Sequence, residues 1–213
     1  MIPSSQKSTI ITNNRFLGIA MFCVAFVIVF AMLHHPEGNY DPSSEDPKMQ
    51  WVHGILIFLV ILNTYAVGHF LTQIEEARRE MKLGNIFYNV GVGAFIGAAL
   101  ISGFVQTELA EIYQYQGTDQ KLYRTLNQYA SIENQSFAKL GIMAYGAAGI
   151  FWFLPMFKLG GSIRCVGFCG LCAGIGLGAS VLTGITLSVL SMTILTIVIV
   201  MWHCSIAIWL LKN

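Results

Sequence analysis

The sequence predicts an all-α polytopic membrane bundle of six transmembrane helices, and three observations carry that prediction: apolar composition, sparse charge and six long apolar runs. Of 213 residues, 55% are hydrophobic and 11% charged, with a mean hydropathy of +0.63, whereas a water-soluble domain carries about a quarter charged residues. A helix rising about 1.5 Å per residue crosses a hydrocarbon layer of about 30 Å in roughly 20 residues. Runs of that order lie at 16–33, 51–71, 86–104, 140–157, 165–183 and 190–211. They define one transmembrane domain over 16–211, behind an N-terminal tail over 1–15.

The first run follows Lys7 and Arg15, as the core of a signal peptide would. It is long, however, and no small-x-small cleavage site precedes His34, so it reads as a retained helix. The fifth and sixth runs have no charged residue between them. A single helix over 165–211 would be about 70 Å long, more than twice the bilayer core, so the chain is expected to fold back near Gly184 to Ser191. Between the third and fourth runs, Leu122, Leu126, Tyr129 and Ile132 recur near helical spacing. The fourth helix should therefore begin well before Leu140. Gly117, Thr118 and Asp119 separate it from an extension of the third, with Thr118 or Asp119 as its N-cap.

Lys and Arg mark the cytoplasmic side of a membrane protein. With the N terminus inside, Lys7, Arg15, Arg78, Arg79, Lys82, Lys158, Arg164 and Lys212 are cytoplasmic, against Lys48, Lys121, Arg124 and Lys139 outside. Both termini are therefore expected in the cytoplasm, and the setting expected is a bacterial inner membrane. A net charge of +1 supplies no field for nucleic acid; the lipid bilayer is the expected partner. Gly93 with Gly97, and Gly170 with Gly174 and Gly178, have the i, i+4 spacing that lets helix backbones approach closely in lipid. Such faces suit packing within the bundle or assembly into a homo- or hetero-oligomer.

The most informative cluster is His34, His35, Pro36 and Glu37 at the outer end of the first run, with His53 just inside the second. Imidazole binds Zn, Cu and Fe well, and Glu37, Glu108 or Glu111 can add a carboxylate from the same side. A divalent transition metal or a haem is therefore one expectation for His34, His35 and His53. Histidines that are merely polar tips at the membrane surface are the other. Pro36 ends the helix, and consecutive side chains diverge by about 100°, so only one of His34 and His35 is expected to face His53. Because imidazole ligates as the neutral base, such binding is expected to weaken in acid. His53 and His69 lie on nearly opposite sides of one helix, which disfavours two haems in one bundle. A second, weaker constellation is Cys169 and Cys172 with His203 and Cys204, all in the inner half. Cysteine is also a good buried hydrophobe, and packing is the simpler reading there.

No Asp, Glu, Lys or Arg interrupts any of the six runs, which argues against an intramembrane proton relay or voltage sensor. The membrane polar groups are Asn63, Thr64 and Tyr65 in the second run and Asn89 in the third. No nucleotide-binding fingerprint and no catalytic constellation is present. The sequon Asn134-Gln135-Ser136 would matter only in a secretory pathway.

Around Leu33-His34-His35-Pro36 and Val52-His53-Gly54 the chain resembles uncharacterised bacterial six-helix integral membrane proteins. The resemblance in helix layout extends over most of the chain and implies no activity. Three function classes follow: a structural or regulatory membrane protein, a metal or haem protein built on the external histidines, and a small-molecule permease.

Overall fold

A computed structural model describes residues 4–35, 48–74, 81–116 and 119–213. Among these residues the protein is all-helical, with no strand. The helices are α1 (Ser4–Leu33), α2 (Lys48–Thr72), α3 (Lys82–Leu100), a π-helical turn (Ile101–Val105), α4 (Gln106–Gln116), α5 (Gln120–Leu159), α6 (Ile163–Leu182) and α7 (Val189–Lys212). Because α3, the π turn and α4 form one rod, these make six long helices, each apolar enough to cross a membrane. The chain is a multi-pass membrane protein.

Three close helix pairs build the bundle: α5 with α6, α3 with α5 and α1 with α7. Helices α5 and α6 meet through glycine: a Cβ at Gly149 would collide with the Gly170 carbonyl, and one at Gly146 would lie 3.1 Å from Gly174 O. The Gly170 and Gly174 stripe is thus occupied within the chain, while Gly93 and Gly178 have no neighbour within 4 Å of a Cβ placed there. Helices α3 and α5 meet where Gly91 faces Gly141 and Tyr145, and α1 and α7 where Gly18 faces Leu211 and Ala207. Large aromatics fill the space between the helices. Trp152 is fully buried and donates Nε1–H to Met81 O at 3.3 Å; it stacks on Tyr88 at 5.4 Å and meets Trp202 at 5.4 Å.

The turns follow the sequence chemistry. Gly160 and Gly161 adopt φ of 78° and 60°, a conformation that favours glycine. Arg164 Nε donates to Phe157 O at 2.9 Å, so it caps the end of α5. At the opposite end Gly184 turns the chain with φ 73°, and Ser188 caps α7 by accepting from Ser191 N. Asp119 is the N-cap of α5, accepting from Lys121 N at 2.8 Å.

Helix α5 extends past the apolar run and pairs with α4 as a hairpin, with Tyr113 stacked on Tyr123 at 4.5 Å. Gln106 Nε2 donates to Asn127 Oδ1 at 3.1 Å, and Gln135 Nε2 donates to Leu187 O at 3.1 Å, tying α5 to the turn before α7. This hairpin overhangs the end of the bundle that carries His35 and His53.

Candidate functional site

Helices α2, α3, α5 and α7 do not close on one another at that end. They surround a cavity of about 680 Å³, to which α1 adds Ile28, Met32 and His35. That volume lies in the usual range for small-molecule sites, about 300 to 1,000 Å³. It runs along α2 from Met49 to Asn63, about 21 Å at about 1.5 Å per residue.

Its lining is graded. At the wide end stand the carboxamides of Gln106, Asn127, Asn134 and Gln135, with Ser131. The shaft below is mainly apolar, walled by Leu56, Ile57, Val60, Ile96, Ala99 and Ile199 among others, with Ser102 and Thr196 as its hydroxyl residues. Its floor is Asn63, Tyr145 and His203. Among the described residues no Asp, Glu, Lys or Arg lines the cavity.

The floor is a hydrogen-bonded layer. Asn63 Nδ2 donates to Tyr88 Oη at 3.3 Å and lies 3.2 Å from His203 Nδ1. An amide N–H can only donate, so Nδ1 accepts and the neutral ring carries its proton on Nε2. His203 is 6% exposed, and its Nε2 has no hydrogen-bond partner among the described residues. Tyr88 and Tyr145 meet the imidazole edge-on at 6.0 and 5.9 Å. Beneath this layer a second pocket of about 140 Å³ lies between α2 and α3, lined by Thr64, Asn85, Tyr88 and Asn89 among others. Tyr88 lines this second space and is hydrogen-bonded to Asn63, which lines the first.

Near the wide end, His53 is buried on α2 beside the π turn. Gly103 makes room for it, since a Cβ there would run into the His53 side chain. His53 Nδ1 lies 2.8 Å from Met49 O. A carbonyl only accepts, so Nδ1 carries the proton and the Nε2 lone pair points away from the backbone. That Nε2 lies 3.3 Å from Nε2 of His35. His34 is turned aside: its Nδ1 donates to Phe30 O at 2.9 Å and its ring lies 4.2 Å from the Phe30 ring, on the exposed face of α1.

Of the histidines read from the sequence, the structure brings His35 and His53 together and leaves His34 out. Glu108 and Glu111 are exposed on α4 and do not line the cavity. Glu37 lies outside the described residues. Cys169 and Cys172 are exposed on α6, whereas His203 is buried in the floor network and Cys204 is half-buried. The structure does not gather these four: among the described residues no three His, Cys, Asp or Glu side chains form a metal-holding group. His69 donates to or accepts from nothing near His203; its Nε2 donates to Asn14 Oδ1 at 2.8 Å.

Sequence reasoning missed the carboxamides of the vestibule. Asn127, Ser131 and Asn134 recur at i, i+4 and i+7 on one face of α5, a polar stripe that periodicity can reveal. The sequon residue Asn134 belongs to this stripe, so it faces the cavity and not open solvent alone. No protein-family model, curated protein or solved structure matches the chain.

Proposed function

We propose that this membrane protein binds a neutral, elongated, amphiphilic small molecule in the cavity between α2, α3, α5 and α7. The single observation that carries the reading is the 680 Å³ cavity with its uncharged, graded lining. An apolar shaft takes an aliphatic chain by the hydrophobic effect. The carboxamides at the wide end offer both donors and acceptors to a neutral head group such as a polyol or an amide. A charged head group finds no counter-ion among the described lining residues and would leave its charge poorly solvated.

A permease role is the second reading, favoured by the small pocket beneath Tyr88. One hydrogen-bonded layer, Asn63 with Tyr88 and His203, separates the wide cavity from the far side. In this reading the cavity faces the outside and both termini the cytoplasm, an orientation supported by the excess of Lys and Arg at the opposite end.

The test is native mass spectrometry of the protein extracted in polymer nanodiscs, followed by binding titrations with monoacylglycerols, long-chain amides and fatty-acid anions. Retention of a neutral amphiphile by wild type, its loss in Ala99→Trp, and weaker binding of the anions are expected. A wild-type protein that retains none of these neutral compounds would overturn the reading.

A further inference from the structure

We infer that His35 and His53, with the thioethers of Met32 and Met49, form a binding site for a soft transition-metal ion, Cu(I), at the wide end of the cavity. The first observation is the imidazole pair. Two nitrogens each about 2.0 to 2.1 Å from a tetrahedral metal stand about 3.3 to 3.4 Å apart, and the two Nε2 atoms lie 3.3 Å apart. Axial ligands of a haem lie on opposite sides of the iron, about 4 Å apart, so the spacing suits a small tetrahedral ion and not a haem.

The second observation is the state in which His53 is held. Its Nδ1–H is fixed by the Met49 carbonyl at 2.8 Å. Metal-binding histidines are oriented in this way, with the far nitrogen presented as a lone pair. The π turn contributes as well, because Gly103 gives the ring its seat, and π turns cluster at functional sites.

The third observation chooses the metal. Met32 precedes His35 by three residues on α1, and Met49 precedes His53 by four on α2, so each thioether sits one turn from an imidazole on the same helix. Because α1 and α2 run in opposite directions, one methionine lies below the imidazole pair and the other above it. All four side chains line the same cavity. Among the described residues the lining offers these soft and borderline donors and no carboxylate. Thioethers select Cu(I) among the available ions, and imidazole suits it. With His53 Nε2 as acceptor, the 3.3 Å contact is a hydrogen bond donated by His35 Nε2–H, so metal binding replaces it and moves the His35 ring proton to Nδ1.

This site lies in the same cavity as the proposed amphiphile, at its head-group end, but rests on different donors, so the two readings are tested separately. The experiment is Cu(I) titration of the purified full chain under ascorbate, in competition with bathocuproine disulfonate. Zn(II) titration and amphiphile binding are run on the same preparations. One Cu(I) per chain is expected in wild type, with affinity lowered more than roughly tenfold by His53→Ala or His35→Ala and unchanged by His34→Ala. Met49→Leu and Met32→Leu nearly conserve volume, so they keep the fold if a histidine variant misfolds; each should weaken Cu(I) severalfold and leave Zn(II) alone. Wild type that loses all Cu(I) to the competitor, or methionine variants that bind as wild type does, would overturn the proposal. Amphiphile binding that survives either result shows that the failure belongs to the metal site.

Discussion

The Asn63 amide of α2 lies 3.2 Å from Nδ1 of His203 on α7, joining two helices that the cavity otherwise holds apart. The same amide nitrogen donates to Tyr88 on α3, so one side chain ties three helices at the floor. Interhelical hydrogen bonds of this kind are worth about 0.6 kcal/mol on average and at most about 1.7. Asn63→Ala is therefore expected to lower stability by about 1 kcal/mol, read as a fall in the unfolding midpoint in detergent. Asn63→Leu refills the volume without the amide; if it restored full stability, the hydrogen bonds would have no measurable part in holding the floor.

The same layer sets the permease test. Tyr88→Phe removes the hydroxyl that accepts from Asn63 and leaves the ring that stacks on Trp152. Liposomes carrying this variant should pass neutral amphiphiles faster than wild type, since the barrier between the two cavities has lost its polar latch. Equal flux in both would leave the protein as a binder without a path across.

Close packing of α5 on α6 gives a prediction with an internal control. A methyl at Gly149 meets the Gly170 carbonyl, a backbone atom that cannot swing aside, whereas one at Gly178 meets nothing within 4 Å. Gly149→Ala should cost about 1 to 3 kcal/mol through overpacking. Gly178→Ala should be neutral or gain up to about 1 kcal/mol from helix propensity. Both are read by thermal unfolding in one detergent. Equal midpoints for the two variants would show that the glycine contact does not limit the approach of the helices.

How far the sequence could be read depended on periodicity. The six apolar runs, the turn near Gly184 and the start of α5 at Asp119 follow from composition, length limits and capping chemistry, all local properties. The floor was only partly legible: Asn63 and Asn89 stood out as polar groups in apolar runs, but Tyr145 and His203 meet Asn63 only through packing of α5 and α7. Nor could spacing say that His35, and not His34, turns toward His53, because that depends on how the chain leaves α1 after Leu33 and how α1 packs on α2. The methionines escaped notice for a chemical reason: a thioether in a transmembrane run reads as an ordinary apolar side chain until its neighbours are known.

The last prediction concerns orientation, on which the functional direction of the cavity depends. Of the ten Lys and Arg among the described residues, six fall at the end of the bundle that holds the start of α1, the end of α7 and the Gly160–Gly161 turn, and four at the cavity end. Basic residues in short loops remain cytoplasmic, so the cavity should open outward. Ser162 and Thr186 are both exposed, on turns at opposite ends of the bundle. In a background with all five native cysteines replaced, Thr186→Cys should react with an impermeant maleimide on intact cells, and Ser162→Cys only after permeabilisation. The reverse pattern would invert the topology and make the cavity a receptor for cytoplasmic ligands. Because both positions lie outside the cavity lining, the labelling result is independent of whether any amphiphile or metal binds.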